Sequence, residues 1–181
     1  MSYLLSKEQL NNVRNEVRFL STINESVNAR YRSAYSSEVT VFLSHKHSDR
    51  DTLENVVALL KGLGVFIYVD WNDDGMPTKT SGATARRIKQ KIRECKKFIL
   101  LATEEAISSK WCNWELGFGD AQKFPNNIAI MPITEHRGDV FSGSEYLQIY
   151  PIIKSDYCYT LGKFYVEYSG TRTALEDWLR R

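Results

Sequence analysis

The stretch 98-FILLATEEAISSKWCNWELGFGDAQKFPNNIAIMPI-133 encloses one helix-like segment between two short, almost wholly apolar segments. Strands of this composition are buried on both faces, and a strand, a helix and a second strand in succession form a right-handed crossover between parallel strands. The stretch therefore predicts a β-α-β unit. Ligands of such sheets bind beyond the carboxyl ends of the strands, and the helix of this unit begins at that edge.

The same alternation continues on both sides of this unit. Between residues 38 and 181 the apolar runs and their flanking caps predict strands and helices in turn. The predicted strands are Val39–Leu43, Val65–Val69, Phe98–Ala102, Ile128–Ile133, Tyr150–Ile153 and Phe164–Tyr168, and the predicted helices cover 49–64, 83–95, 108–124 and 171–181. This order predicts one α/β domain over residues 38–181, with a doubly wound parallel sheet.

Residues 1–37 are predicted to form a separate helical extension and a linker. Ser6 and Gln9 have the spacing of a capping box, which predicts that a helix begins there. Apolar residues then recur at three- and four-residue steps as far as residue 31, if Asn24 is counted as the missing member, namely Leu10, Val13, Val17, Leu20, Val27 and Tyr31. Such a stripe can dock on the domain or on a second copy of itself, and residues 32–38 read as the linker.

The composition is that of an ordinary globular protein and indicates no particular class of macromolecular partner. The 181 residues are 43% hydrophobic and 25% charged, with a formal net charge of +2. This balance does not favour nucleic acid or membrane as a partner, and the basic cluster between residues 86 and 97 is interpreted as a solvated helix face. The cysteines Cys95, Cys112 and Cys158 form no CxxC pair. With no signal peptide or membrane span recognised, we expect a cytoplasmic protein.

The helix of the opening stretch carries an unusual group of side chains. Trp111 and Glu115 are four residues apart, so a helix places both on one face. A carboxylate beside an aromatic wall suits a reaction that builds positive charge, such as cleavage of a glycosidic bond through an oxocarbenium-like state. The alternative is that Trp111 and Trp114 anchor the core while Glu115 is a solvated surface group.

Other constellations in the sequence are weaker. His45 and His47 form an HxH pair, but no carboxylate or cysteine stands at ligand spacing, so no metal site is expected. The acidic residues of 70-DWNDDGMP-77 are interpreted as turn formers. The sequence Gly117-Phe118-Gly119 lies inside a helix, where it cannot serve as a dinucleotide fingerprint. Hydride transfer and P-loop chemistry therefore have no support.

Three motifs resemble one known family. The segments 40-TVFLSHKHSD-49, Gly75-Met-Pro77 and 109-SKWCNWEL-116 follow one another at strand ends. Together they resemble a Toll/interleukin-1 receptor (TIR) domain, and the Trp-Cys-x-x-Glu-Leu motif is similar to that of the bacterial and plant-like branch. The resemblance covers residues 38–170 and implies a flavodoxin-like sheet.

The resemblance also implies an activity. Many members of this branch cleave NAD⁺ at the nicotinamide–ribose bond and release ADP-ribose or a cyclic or modified form of it. The catalytic glutamate of the family corresponds to Glu115, and its BB loop corresponds to 71–82. NAD⁺ is then the substrate, and no cofactor or metal is expected. The expected substrate-binding residues are Ser44, His45, Lys46, Trp71, Lys79, Trp111 and Cys112.

Partners follow from the same resemblance. Small bacterial TIR proteins resemble the synthase of antiviral Thoeris systems, whose product switches on a separate effector protein. TIR domains also associate with one another, so self-association is expected. Two alternatives stay open at this point, a non-catalytic TIR–TIR interaction module and an effector that interferes with host immunity.

Overall fold

The structure of the protein is a computed structural model. It describes residues 3–23, 39–70, 73, 75, 81–141, 143–156 and 163–181, with the backbone alone at 16–23. In chain order the strands of this part are β1 (Leu5–Ser6), β2 (Thr40–Ser44), β3 (Phe66–Tyr68), β4 (Lys97–Ala102), β5 (Ile128–Thr134), β6 (Ile152–Ser155), β7 (Phe164–Tyr168) and β8 (Thr171–Ala174).

One twisted sheet contains all of these strands. Its order is β3-β2-β4-β5-β6-β7-β8, and β1 pairs with β5 outside this path. The first five strands in this order are parallel, whereas β7 and β8 are antiparallel additions at one end. The parallel part has the order of a flavodoxin-like fold, in which the topological switch lies between β2 and β4. The predicted fold class is confirmed.

The helices cover both faces of this sheet. They are α1 (Lys7–Ile23), α2 (Arg50–Gly62), α3 (Gly82–Glu94), α4 (Glu104–Ser108), α5 (Lys110–Lys123) and α6 (Leu175–Arg180). Because successive strand residues point to opposite faces, β4 divides its side chains between two cores. Ile99 and Leu101 pack on the face of α1, α2 and α6, whereas Phe98 and Leu100 pack on the face of α3 and α5.

Two predicted elements differ from the structure. The helix predicted over 108–124 begins only at Lys110, because Ser109 is extended and its hydroxyl accepts a hydrogen bond from the backbone N–H of Cys112 (3.4 Å). The C-terminal helix predicted over 171–181 is β8 followed by the short α6. Thr171–Ala174 completes a hairpin with β7 across a turn in which Ser169 and Gly170 have positive φ.

The N-terminal segment contributes to the domain core. Its strand β1 runs parallel to the end of β5, with Leu5 opposite Ile133. Leu10 and Val13 of α1 are fully buried in the core that also contains α2. Ser6 caps the helix as expected by accepting from the N–H of Gln9 (3.2 Å), but the Gln9 amide bonds the hydroxyl of Ser155 (3.0 Å). The remainder of the predicted extension, 24–38, lies outside the described residues.

Within the described part of the chain, no helix combines the length and the apolar character that crossing a lipid bilayer requires.

Candidate active site

Glu115 lies at the topological switch of the sheet. It is on the second turn of α5, and only 3% of its surface is exposed. The hydroxyl of Ser44, the last residue of β2, donates a hydrogen bond of 2.5 Å to its Oε2. The alternative of a solvated Glu115 is therefore wrong. A buried carboxylate with one hydrogen-bond donor among the described residues is costly to maintain, which is typical of a group kept for function.

The electrostatics of Glu115 follow from this position. Burial raises the pKa of its carboxyl group to about 8, while the Ser44 hydrogen bond lowers the pKa and the charge of Asp70 raises it. Burial dominates because an ionised carboxylate loses its hydration when it is taken from water. In the free protein at neutral pH, this group holds a proton that an exposed glutamate would have released.

Cys112 connects the helix of Glu115 to the end of β2. Its thiol is buried and donates to the backbone carbonyl of His45 at 3.3 Å. Burial raises the pKa of this thiol, so it is held in its neutral form. The contact fixes α5 against the residues that follow β2. A direct contact between Cys112 and substrate stays a prediction.

The tryptophans form an aromatic ladder along α5. The rings of Trp111 and Trp114 stack with centroids 5.1 Å apart, and Trp114 stacks on Phe118 at 6.4 Å. Lys89 and Arg93 of α3 place their cations over the Phe118 ring. Both tryptophans are half-buried and pack against the core, as the alternative in the sequence analysis held. Trp111 remains one turn from Glu115 and is only partly covered.

The remaining predicted substrate-binding residues are Lys46, Trp71 and Lys79. Lys46 is exposed and lies two residues after Ser44, the last residue of β2. Trp71 and Lys79 lie outside the described residues, so their roles stay predictions. The structure thus brings Ser44, Cys112 and Glu115 together, with His45 and Lys46 following Ser44 along the chain.

The sequence analysis missed Asp70. This residue follows β3, and its carboxylate reaches across to the end of β2, where Oδ1 lies 3.4 Å from Nε2 of His45 and Oδ2 lies 3.3 Å from Nε2 of His47. Nδ1 of His45 lies 3.0 Å from the carbonyl oxygen of Leu43, and burial lowers the pKa of this histidine. The only feature of the sequence that could have indicated this contact is the prediction of parallel strands. Such strands end at a common edge of the sheet, so the residues that follow them can meet there.

Asp73 is held between the end of β3 and α3. Arg87 of α3 donates two hydrogen bonds of 2.9 Å to its carboxylate, and the hydroxyl of Tyr68 donates a third at 2.7 Å. The Arg87 guanidinium holds the pKa of Asp73 well below its usual range. Asp73 is therefore an ion-pair anchor as well as the turn former that the sequence suggested, since the N–H of Gly75 also donates to it (3.0 Å).

A groove of about 760 Å³ lies elsewhere, around the β7–β8 hairpin. Its charged side chains Lys154 and Arg172 each form an ion pair with Glu167. None of the residues around Glu115 lines this groove. The buried carboxylate of Glu115 therefore lies apart from this groove.

These features define an α/β protein with a buried acid at the switch point of a flavodoxin-like sheet. A carboxylate at that position, beside a half-exposed indole, can stabilise positive charge on a bound ligand. A family model described as "TIR domain" matches residues 41–152. The chain belongs to the TIR domain family.

Two named relatives share part of this sequence. The "Probable 3' cyclic ADP-D-ribose synthase ThsB'" of Bacillus cereus is 33% identical over 116 residues, covering 62% of this chain and 59% of that protein. The "Probable 2' cyclic ADP-D-ribose synthase TcpO" of Methanobrevibacter olleyae is 29% identical over 109 residues, covering 57% of this chain and 31% of that protein. The chain thus spans less than two thirds of either relative.

A solved structure shows a weaker likeness. The crystal structure of the TIR domain of the Toll-related receptor TRR-2 from Hydra magnipapillata matches with a TM-score of 0.45 and 20% identity, covering 66% of this chain and 81% of that chain.

Proposed function

We propose that this protein cleaves the nicotinamide–ribose bond of NAD⁺ and converts the remainder into ADP-ribose or a cyclic form of it. The observation that carries the proposal is Glu115, a buried carboxylate at the switch point of a TIR-family sheet. The names of the relatives above, both cyclic ADP-D-ribose synthases, support the same chemistry.

Glu115 has a defined part in the proposed reaction. As the C1′–N1 bond breaks, the bonding pair leaves with nicotinamide, which becomes neutral, and positive charge moves to the ribose. A carboxylate within contact of the ribose stabilises this charge more strongly than it stabilises the ground state, which lowers the barrier. The cationic substrate also favours the ionised form of Glu115, in opposition to burial.

The product depends on the group that attacks the ribosyl cation. Attack by water at C1′ gives ADP-ribose, and the water proton is released to solvent. Attack at C1′ by a hydroxyl of the same molecule, whose proton is released to solvent, or by an adenine nitrogen gives a cyclic product. The Trp111–Trp114 ladder lies beside Glu115 and can restrict the entry of water, which favours the internal acceptor.

The remaining residues are proposed to bind the substrate without a cofactor. Lys46 and the backbone N–H groups after Ser44 stand at the end of β2, where they can meet the diphosphate. Trp71 and Lys79, in the loop 71–82, are proposed to contact the same substrate. Bond cleavage by charge stabilisation requires no metal ion, so chelator-treated protein should keep its turnover.

The cellular setting is proposed on the same grounds. We place the protein in the cytoplasm, because Cys95 and Cys112 are buried free thiols that suit a reducing compartment. We propose that its product acts as a signal for a separate effector in bacterial antiviral defence, and that the protein associates with itself through its TIR domain.

The test of the function is substitution of Glu115. Glu115→Gln keeps the size of the side chain and removes its charge, so NAD⁺ turnover should fall on the order of 100-fold or more. Glu105→Gln, an exposed glutamate on α4, is the matched control and should retain turnover. Nicotinamide release and product identity are followed by chromatography, and folding by circular dichroism. Full turnover in a folded Glu115→Gln variant would remove Glu115 from the mechanism.

A further inference from the structure

His45, His47 and Asp70 form a cluster of metal-ligating side chains beside the proposed active site. The two histidines follow β2 and the aspartate follows β3, so the parallel sheet brings them to one edge. Their ligand atoms all lie within 4.8 Å of one another. His45 is buried, Asp70 is half-buried, and the side chain of His47 is 65% exposed. An ion could therefore reach the cluster from the side of His47.

The orientation of the His45 ring presents a lone pair to the cluster. Its Nδ1 lies 3.0 Å from the carbonyl oxygen of Leu43, which can only accept, so in the neutral ring Nδ1 carries the proton. Nε2 is then an acceptor, and it lies 3.4 Å from Oδ1 of Asp70, which is also an acceptor. This Oδ1 is buried and has no hydrogen-bond donor among the described residues. Two acceptors in this position favour a cation bound between them.

The spacing of His45 Nε2 and Asp70 Oδ1 matches one edge of the tetrahedron around a small ion. With bonds of 2.0–2.1 Å to zinc, the ligand atoms of a tetrahedron stand about 3.3 Å apart. Nε2 of His45 and Oδ1 of Asp70 are 3.4 Å apart, already at this value, whereas Nε2 of His47 lies 3.3 Å from the other carboxylate oxygen, Oδ2. The exposed His47 side chain can rotate to bring its nitrogen within bonding distance of the same ion.

We propose that His45, His47 and Asp70 bind one divalent transition-metal ion of the zinc class. Two imidazoles and one carboxylate suit Zn²⁺ or Co²⁺, whereas Mg²⁺ and Ca²⁺ prefer an all-oxygen set. The hydrogen bond from His45 Nδ1 to Leu43 is the kind of contact that orients a histidine ligand. Three protein ligands leave the fourth position to water or to an oxygen of a bound anion.

The proposed metal site lies next to the proposed active site, but it takes no part in bond cleavage. His45 directly follows Ser44, whose hydroxyl contacts Glu115, and the His45 carbonyl accepts from Cys112. The ion would lie on the side of β3, and no atom of Glu115 belongs to the cluster. Zn²⁺ binding is therefore measured directly and not through NAD⁺ turnover, which the charge of Asp70 can affect through the pKa of Glu115.

The test uses the full chain freed of any histidine tag and dialysed against a chelator. Titration with Zn²⁺ in a calorimeter should show saturable binding of one ion per chain, and Co²⁺ should give the visible absorption of a four-coordinate site. His47→Ala and Asp70→Asn should each weaken Zn²⁺ binding at least about tenfold, because each removes a ligand. These variants avoid the buried His45, whose replacement endangers the fold.

The control is His136→Ala, which removes the third histidine of the chain, an exposed residue outside the cluster, and should leave Zn²⁺ affinity unchanged. Absence of saturable Zn²⁺ binding would overturn the proposal. Equal affinity in wild type, His47→Ala and Asp70→Asn would also overturn it, because the ion would then occupy other groups such as the cysteines. Neither result would affect the role proposed for Glu115, which is tested by NAD⁺ turnover.

Discussion

At the residue scale, the contact between Ser44 and Glu115 sets the protonation of the proposed catalytic group. If the ionised carboxylate is the active form, kcat/KM should rise with pH and reach half of its maximum near pH 8, the pKa to which burial raises Glu115. The Ser44 hydrogen bond opposes this increase, because it favours the charged form.

Ser44→Ala should therefore move the midpoint of the pH profile upward. Removing the hydroxyl leaves the charged form of Glu115 less stabilised, so more alkaline conditions are needed to ionise it. Initial rates at subsaturating NAD⁺ across the pH range give the profile. Ser108→Ala, an exposed serine on α4, is the control and should keep the wild-type midpoint. A midpoint that stays in place or falls in Ser44→Ala would contradict this account of the contact.

The raised pKa of Glu115 also predicts how the stability of the fold depends on pH. Glu115 keeps its proton in the folded state up to about pH 8, whereas in the unfolded chain it releases the proton near its ordinary pKa of 4.5. Between these pH values the folded state binds more protons, so its free energy of unfolding falls as the pH rises. Glu115→Gln has no such dependence. Relative to this variant, the wild type should lose at least about 1 kcal/mol between pH 5 and pH 8.

Urea unfolding of both proteins at several pH values measures this difference. Every other titrating group is common to the two proteins, so the comparison isolates Glu115. Two stability curves that run parallel from pH 5 to pH 8 would mean that burial does not raise the pKa of this carboxyl group.

Comparison of sequence and structure shows which features of the site could be predicted. Glu115 and Trp111 were found because helical spacing and strand ends are local properties of the chain. Asp70 was missed because its relation to His45 depends on the lateral pairing of β2 with β3. Spacing along the chain carries no information on such a contact, since 25 residues separate the two positions and only the register of the sheet joins them.

At the element scale, apolar runs and caps located the parallel strands to within one or two residues. The errors lie where local propensity competes with tertiary contacts. Residues 171–174 have a helix-compatible composition, yet the turn at Ser169 and Gly170 returns them along β7 as a strand. The buried positions of β1 are too few for any periodicity to show. Its strand conformation depends on an unpaired stretch of β5 at Ile133 and Thr134.

The glycines of α5 allow a test of how closely this helix packs on the sheet. A Cβ atom at Gly119 would lie 2.9 Å from the ring of Phe98, which is buried and stacked on Phe42. Gly119→Ala should therefore destabilise the fold by about 1–3 kcal/mol through overpacking. A Cβ at the exposed Gly117 meets nothing within 4 Å, so Gly117→Ala should stabilise by up to about 1 kcal/mol.

Chemical denaturation of these two variants gives the comparison, because both replace the same residue type in one helix. Opposite signs of the change in unfolding free energy are expected. A Gly119→Ala variant as stable as Gly117→Ala would show that α5 can move away from β4 without cost.

At the scale of the whole molecule, the proposed self-association concerns the end of the sheet formed by β3. This strand is the outermost in the order of the described sheet, and Phe66 on it is 69% exposed. An exposed edge strand with a large apolar side chain is a suitable surface for a second chain. It also leads through Asp70 to the loop 71–82, so association there would act close to the site.

We therefore expect NAD⁺ cleavage per molecule to rise as protein concentration increases across about a thousandfold range, in parallel with the mass measured by light scattering. Phe66→Asp should hold the activity at its low-concentration value throughout, because a charge at the centre of an apolar contact is left without hydration when the surfaces meet. Val140→Asp is the matched control, since Val140 is 88% exposed and lies far along the chain, after β5. Specific activity that is constant in the wild type, with the protein monomeric at every concentration, would refute the self-association. If the Phe66→Asp variant assembled like the wild type, the contact between chains would have to lie on another surface than the β3 edge.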